Sequence, residues 1–84
     1  MKITFKLFAS LTDYLPQAVR YSNQMDLEVA SGATVLQVIA PFGLPQNMVH
    51  LVLINGKYMA PADRASVALQ PGDVVAIWPP IAGG

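Results

Sequence analysis

The chemistry of this chain is concentrated in its last six residues, Pro79-Pro80-Ile81-Ala82-Gly83-Gly84. Gly83 and Gly84 have no side chains, so a carboxylate on Gly84 is the least hindered that a chain of L-amino acids can offer. Such an end can thread a narrow tunnel and present its carbonyl carbon to a bound nucleotide or nucleophile. Pro79 and Pro80 fix φ and lack N–H donors, which predicts that a strand stops there and a stiff extended spacer begins. From Pro79 to Gly84 such a tail reaches up to ~20 Å, at about 3.3–3.6 Å per residue. Ile81 and Ala82 keep it apolar, unlike a solvated linker. The implied chemistry runs through Gly84, with Gly83, Ala82, Ile81, Pro80 and Pro79 as its delivery arm.

No other set of residues forms a reactive group. His50 is the single histidine, and a general base needs a nucleophile and usually an orienting carboxylate within reach. At the start of an apparent strand, His50 reads as a structural or partner-contact residue. Asp13, Asp26, Glu28, Asp63 and Asp73 are scattered among turns and strand faces, without metal-ligand spacing. Gly72 belongs to a turn rather than to a phosphate-cradling loop before a helix. The absence of cysteine removes disulfides, zinc knuckles and thiol nucleophiles. The expectation is a chain that catalyses nothing alone and binds no metal or cofactor of its own.

Composition narrows the partners. Five basic residues balance five acidic ones, and a dispersed neutral set leaves no electrostatic footprint for nucleic acid or an anionic membrane. Only 12% of residues are charged, about half the share usual in soluble domains. With 54% of its 84 residues hydrophobic, one small domain cannot bury everything it carries. Exposed apolar surface, and hence a protein partner, is expected. No apolar run approaches the ~18–20 residues of a membrane span. Met1-Lys2 leads straight into a strand-like pattern without a signal-peptide region. A cytoplasmic location is therefore expected.

The elements that must position the tail follow from periodicity. Ile3, Phe5 and Leu7 alternate with Lys2, Thr4 and Lys6, predicting a half-buried strand from Lys2 to Phe8. Ala9 to Tyr14 predicts a short helical turn, and Gln17 to Gln24 a loop. Met25, Leu27 and Val29 alternate with Asp26 and Glu28 as a second strand. Thr34 is the expected N-cap of a short, buried helix through Val35, Leu36, Val38 and Ile39. Pro41 should end that helix at Ala40. Val49 to Ile54 and Lys57 to Ala60 flank Asn55-Gly56, a strong type I′ hairpin signal. Pro61 to Gln70 reads as an irregular crossover, and Pro71-Gly72-Asp73 as a turn. Val74 to Trp78 contains nothing polar, which predicts a central strand covered on both faces.

This order is that of the β-grasp, or ubiquitin-like, class: an α+β fold with a mixed sheet and one main packed helix. It predicts a body over residues 1–78 and a flexible reactive tail over 79–84. Phe8 falls on the polar side of the first strand, and Trp78 stands where the tail leaves. Both are expected to anchor a partner. The methionines and Phe42 read as core.

Ile77-Trp78-Pro79-Pro80-Ile81-Ala82-Gly83-Gly84 resembles the ending of the MoaD/ThiS family of ubiquitin-like sulfur carriers. The likeness is closest to the small subunit of molybdopterin synthase. Leu7-Phe8-Ala9-x-Leu11, Asn55-Gly56 and Gly72-Asp73-Val74-Val75-Ala76 extend the resemblance over nearly the whole chain. The resemblance implies that an activating adenylyltransferase, related to ubiquitin-activating enzymes, adenylates Gly84 with ATP and magnesium. A sulfurtransferase then supplies sulfur to form a thiocarboxylate. The large subunit of molybdopterin synthase receives the tail, and the sulfur passes to a pterin precursor of the molybdenum cofactor. Thiamin or cysteine synthesis and protein modification are the alternatives. Ser10-Leu11-Thr12-Asp13 departs from the family's frequent Arg-Glu pair, Pro41 shortens its helix, and Trp78 replaces a more usual Phe or Leu.

Overall fold

A computed structural model describes residues 1–80 of the chain. Five strands form one mixed sheet in the order β2-β1-β5-β3-β4. They are β1 (Lys2–Leu7), β2 (Gln24–Glu28), β3 (Leu51–Ile54), β4 (Lys57–Tyr58) and β5 (Val74–Trp78), with one helix, α1 (Val35–Ile39), between β2 and β3. β1 runs parallel to β5 and antiparallel to β2, and β3 is antiparallel to both β5 and β4. The β-grasp architecture expected from the order of elements is the one observed.

The alternation in β1 has a direct outcome. Ile3, Phe5 and Leu7 are essentially inaccessible to solvent, whereas Lys2, Thr4 and Lys6 are not. In register with them, Val75 and Ile77 of β5 and Val52 of β3 complete one continuous apolar face. Val35, Val38 and Ile39 of α1 pack on it together with Leu11, Leu15 and Leu69. Phe42, as expected of a core residue, lies against Phe5 with ring centroids 4.8 Å apart. All four methionines pack partly buried on the rim of this cluster.

A five-residue helix has little stability of its own, since nucleation is costly and few of its bonds are internal. Two local devices support α1. Thr34 Oγ1 accepts the Gln37 amide at 3.4 Å while Gln37 Oε1 accepts the Thr34 amide at 2.9 Å, a reciprocal capping box. At the other end Pro41 does not stop the turn outright: the chain tightens into a 3₁₀ turn over Ala40–Phe42 and leaves through Gly43 at φ 68°. That is left-handed geometry, which glycine adopts without steric cost.

The turns expected from Asn55-Gly56 and Pro71-Gly72-Asp73 are joined to each other. Asn55 and Gly56 take φ 52° and 81°, as a type I′ hairpin requires. Asn55 Nδ2 donates to Asp73 Oδ1 at 2.9 Å, and the Val74 amide donates to Asn55 Oδ1 at 2.8 Å. The hairpin tip is thereby fastened to the start of β5.

Several expected boundaries differ. β1 stops at Leu7 rather than Phe8, because Ala9 at φ 53° turns the chain into a 3₁₀ segment over Ala9–Tyr14. Gln17–Val19, expected as loop, forms another 3₁₀ turn. β4 is shorter than the expected Lys57 to Ala60.

Candidate functional site

The core-facing side of the sheet accounts for half of each strand, and register assigns the remainder to an open face. On it stand Gln24, Asp26 and Glu28 of β2, Lys2, Thr4 and Lys6 of β1, Val74, Ala76 and Trp78 of β5, Leu51 and Leu53 of β3, and Tyr58 of β4. Of these only Ala76, flanked in register by Lys6 and Leu53, is buried. The expectation that β5 is covered on both faces is therefore corrected. β5 is central in the sheet, but α1 packs on one side, and β5's other side remains open at Val74 and Trp78. A continuous apolar run satisfies both arrangements, so the run alone does not distinguish them.

The open face is divided. Its β2–β1 half is polar, with Lys2 Nζ 3.4 Å from Asp26 Oδ2 and Thr4 Oγ1 3.4 Å from Asp26 Oδ1. Its β5–β3–β4 half presents Leu51, Leu53, Val74, Trp78 and Tyr58, the last 60% exposed. Phe8, just past the end of β1, joins this apolar half. Its ring stacks on Trp78 with centroids 4.0 Å apart and planes 3° from parallel. Such a pair contributes about 0.5–1.5 kcal/mol beyond its area burial. The two aromatic residues expected at partner contacts are thus one stacked unit, half-buried and open to solvent on the same face. Leu51, Leu53, Val74 and Tyr58 beside them were not among the sequence expectations. Their signal was available, since Leu51-Val52-Leu53-Ile54 cannot direct every side chain into one core.

Trp78 is also the root of the tail, and backbone bonds hold that root from both sides. The Phe8 amide donates to Ile77 O at 3.1 Å, and the His50 amide donates to Trp78 O at 3.1 Å. Pro79 is buried and Pro80 is exposed. Ile81, Ala82, Gly83 and Gly84 lie outside the described residues. His50 is exposed, and its side chain forms no hydrogen bond with a carboxylate or hydroxyl among the described residues. Among them, no cluster of histidine, aspartate or glutamate has the geometry to hold a metal ion, and no helix is long and apolar enough to cross a membrane.

The sequence that builds this fold matches the model of the ThiS family over residues 6–84. The chain belongs to the ThiS family. It is therefore one of the ubiquitin-like sulfur carrier family, whose members are small and generally non-catalytic carrier proteins. Solved structures place it among the same folds. A Haloferax volcanii protein of known solution structure superposes with a TM-score of 0.74 at 27% identity, covering 100% of this chain and 87% of that one. SAMP1 from Haloferax volcanii gives a TM-score of 0.63 at 25% identity with both chains fully covered. In a complex of subunits 1 and 2 of molybdopterin-converting factor from Helicobacter pylori, a chain gives a TM-score of 0.60 at 16% identity, again over 100% of both. That last likeness is one of fold. No curated protein matches the sequence.

Proposed function

We propose that this ThiS-family chain is the small, sulfur-carrying subunit of molybdopterin synthase, a cosubstrate rather than a catalyst. One observation carries the reading: the apolar half of the open face converges on Trp78, and Trp78 leads at once into Pro79-Pro80-x-x-Gly-Gly. A surface that can dock and an end that can react share a root. In the proposed cycle an activating adenylyltransferase, using ATP and magnesium, joins the Gly84 carboxylate to AMP and releases pyrophosphate. Sulfide equivalents from a sulfurtransferase attack the acyl carbon, AMP departs, and a thiocarboxylate remains. The loaded tail then enters the large subunit and gives its sulfur to the pterin precursor, returning as a carboxylate. Two loaded carriers complete each dithiolene. These ATP-dependent steps are consistent with a cytoplasmic location.

The test is intact mass of the untagged protein isolated from its own host. A species heavier by the difference between sulfur and oxygen, mapped to Gly84, is the expected result. Carboxylate alone, even after incubation with ATP, a sulfur source and the activating enzyme, would end the carrier reading. Deleting Gly84 is expected to abolish loading while leaving the melting temperature unchanged. Turnover of the pterin precursor by the host's large subunit distinguishes this pathway from thiamin or cysteine synthesis. Similarity to SAMP1 supports a second reading, a protein modifier joined to lysines. Higher-mass adducts that resist thiol and hydroxylamine would favour it.

A further inference from the structure

Arg64 has no counterpart in the expectations drawn from sequence, and its surroundings are unusual. It is the one buried charged residue among those described, 6% exposed, and no carboxylate of the described residues lies within salt-bridge distance of it. Its guanidinium is held by backbone carbonyls alone. Nε and Nη2 donate to Met59 O at 3.3 and 3.2 Å, Nη1 donates to Val49 O at 3.1 Å, and Nη2 donates to His50 O at 3.1 Å. Its own carbonyl accepts the amide of Leu36 in the first turn of α1 at 3.0 Å, a donor that the helix cannot satisfy internally.

Burying a cation is costly unless it is fully hydrogen-bonded, so a cage of this kind persists where a rigid multi-pronged donor is needed. The three carbonyls identify what is being held. Val49 and His50 are the lead-in to β3, and Met59 is the exit of the β3–β4 hairpin. His50 is tied at both of its backbone groups: its carbonyl to Arg64, and its amide to Trp78 O. That second bond is the last one on the β3 side before the chain becomes Pro79-Pro80, neither of which has an amide to offer. The segment Pro45–His50 has no strand pairing other than this bond, being a 3₁₀ turn over Gln46–Met48 followed by Val49 at φ −87°, ψ 84°. Without the guanidinium, nothing among the bonds of the described residues fixes the His50 carbonyl, and on the β3 side the tail root keeps only the pairing of Leu51 with Trp78 as firm support.

We infer that Arg64 is a positioning residue: through His50 it helps to fix Trp78 and so sets the direction in which the chain leaves β5 at Pro79. Among the described residues its side chain bonds only to Met59, Val49 and His50, so it acts through His50. The effect of this aim on activation rests on the carrier reading, whereas the anchor itself does not.

The experiment compares R64K, R64M and the control L69A in the full-length protein. Lysine keeps the charge but offers a point donor in place of a fork. Leu69 is a core residue that makes none of the Arg64 side-chain bonds, so L69A destabilises the body while leaving every donor and acceptor of the cage in place. Amide hydrogen exchange should accelerate at His50 by about tenfold in R64K and more in R64M, with Leu27 of β2 unchanged. L69A should leave the ratio of His50 to Leu27 exchange as in wild type. In ATP–pyrophosphate exchange with the activating enzyme, kcat should fall about tenfold in R64K while KM for the carrier rises less than about threefold, because every docking side chain is still present and delivery is misaimed. Should R64M fail to fold, R64K decides. Unchanged His50 exchange in folded R64K, or an equal loss of kcat in L69A, would overturn the proposal. A wild-type chain never adenylated would overturn the carrier reading and the catalytic consequence, leaving the anchor to be judged by exchange.

Discussion

The two halves of the open sheet face are built on the same backbone but have opposite characters. Across β2 and β1 the rows read Lys2 with Glu28, Thr4 with Asp26, and Lys6 with Gln24, polar pairs that water solvates well. Across β5, β3 and β4 they read Trp78 with Leu51, and Ala76 with Leu53 and Tyr58. Nothing in the β-grasp demands the second pattern, because the core is complete on the other side. Apolar side chains left in water weaken solubility, and a chain retains them where another surface covers them. The difference between the halves therefore separates what the fold needs from what a partner needs. On the proposed function, the polar half is a solvated surface and the apolar half is the recognition surface, running to Trp78 at the root of the tail.

That contrast can be broken most severely at Trp78. Trp78→Ala removes an aromatic anchor and leaves Phe8 without its stacking partner. Affinity for the large subunit or the activating enzyme should fall about 100-fold or more, in the range of interface hot spots. Titration calorimetry against either partner measures it, and a loss below threefold would remove Trp78 from the interface. A smaller effect is expected from Leu53→Glu, which places a charge in the middle of the apolar half. Affinity should fall about tenfold, consistent with a desolvated charge at an interface core, while stability changes little because the site is solvent-facing. Circular dichroism melts of the same samples check the second clause. The weakest effect belongs to the polar half. Lys2→Ala breaks an exposed ion pair worth about 0–1 kcal/mol, and partner affinity should stay within twofold. If Lys2→Ala weakened binding as much as Leu53→Glu, the division of the face would be wrong.

How much of this was legible depended on how far apart in sequence the interacting residues lie. Ile3, Phe5 and Leu7 declared β1 because water on one side and core on the other impose a period of two. Thr34 and Asn55-Gly56 declared a cap and a turn because their requirements are satisfied within a few residues. Phe8 and Trp78 each stood out in the sequence as candidate anchors, but their stacking was not legible, since it follows from the parallel pairing of strands from opposite ends of the chain. Leu51 and Leu53 were hidden by their own neighbours: a run without polar residues looks the same buried on two faces or on one. The 3₁₀ turns at Gln17–Val19 and Gln46–Met48 are too short to leave a period. Arg64 was silent because its partners are backbone carbonyls, which every residue possesses and no sequence marks. Gly84 and the end of its arm, Ile81, Ala82 and Gly83, were the plainest signal of all, and they lie beyond the described residues.

The sheet order has a consequence for how the molecule is made. β5, the strand synthesised last, is the middle one, with β1 and β3 on either side of it. As the chain leaves the ribosome, β1 with β2 and β3 with β4 can pair as separate hairpins, but neither half can join the other. Closure waits until Val74–Trp78 has emerged. The apolar half-face, assembled from β5 and β3, does not exist before then. A chain that lacks β5 therefore has no apolar half-face to present to any partner.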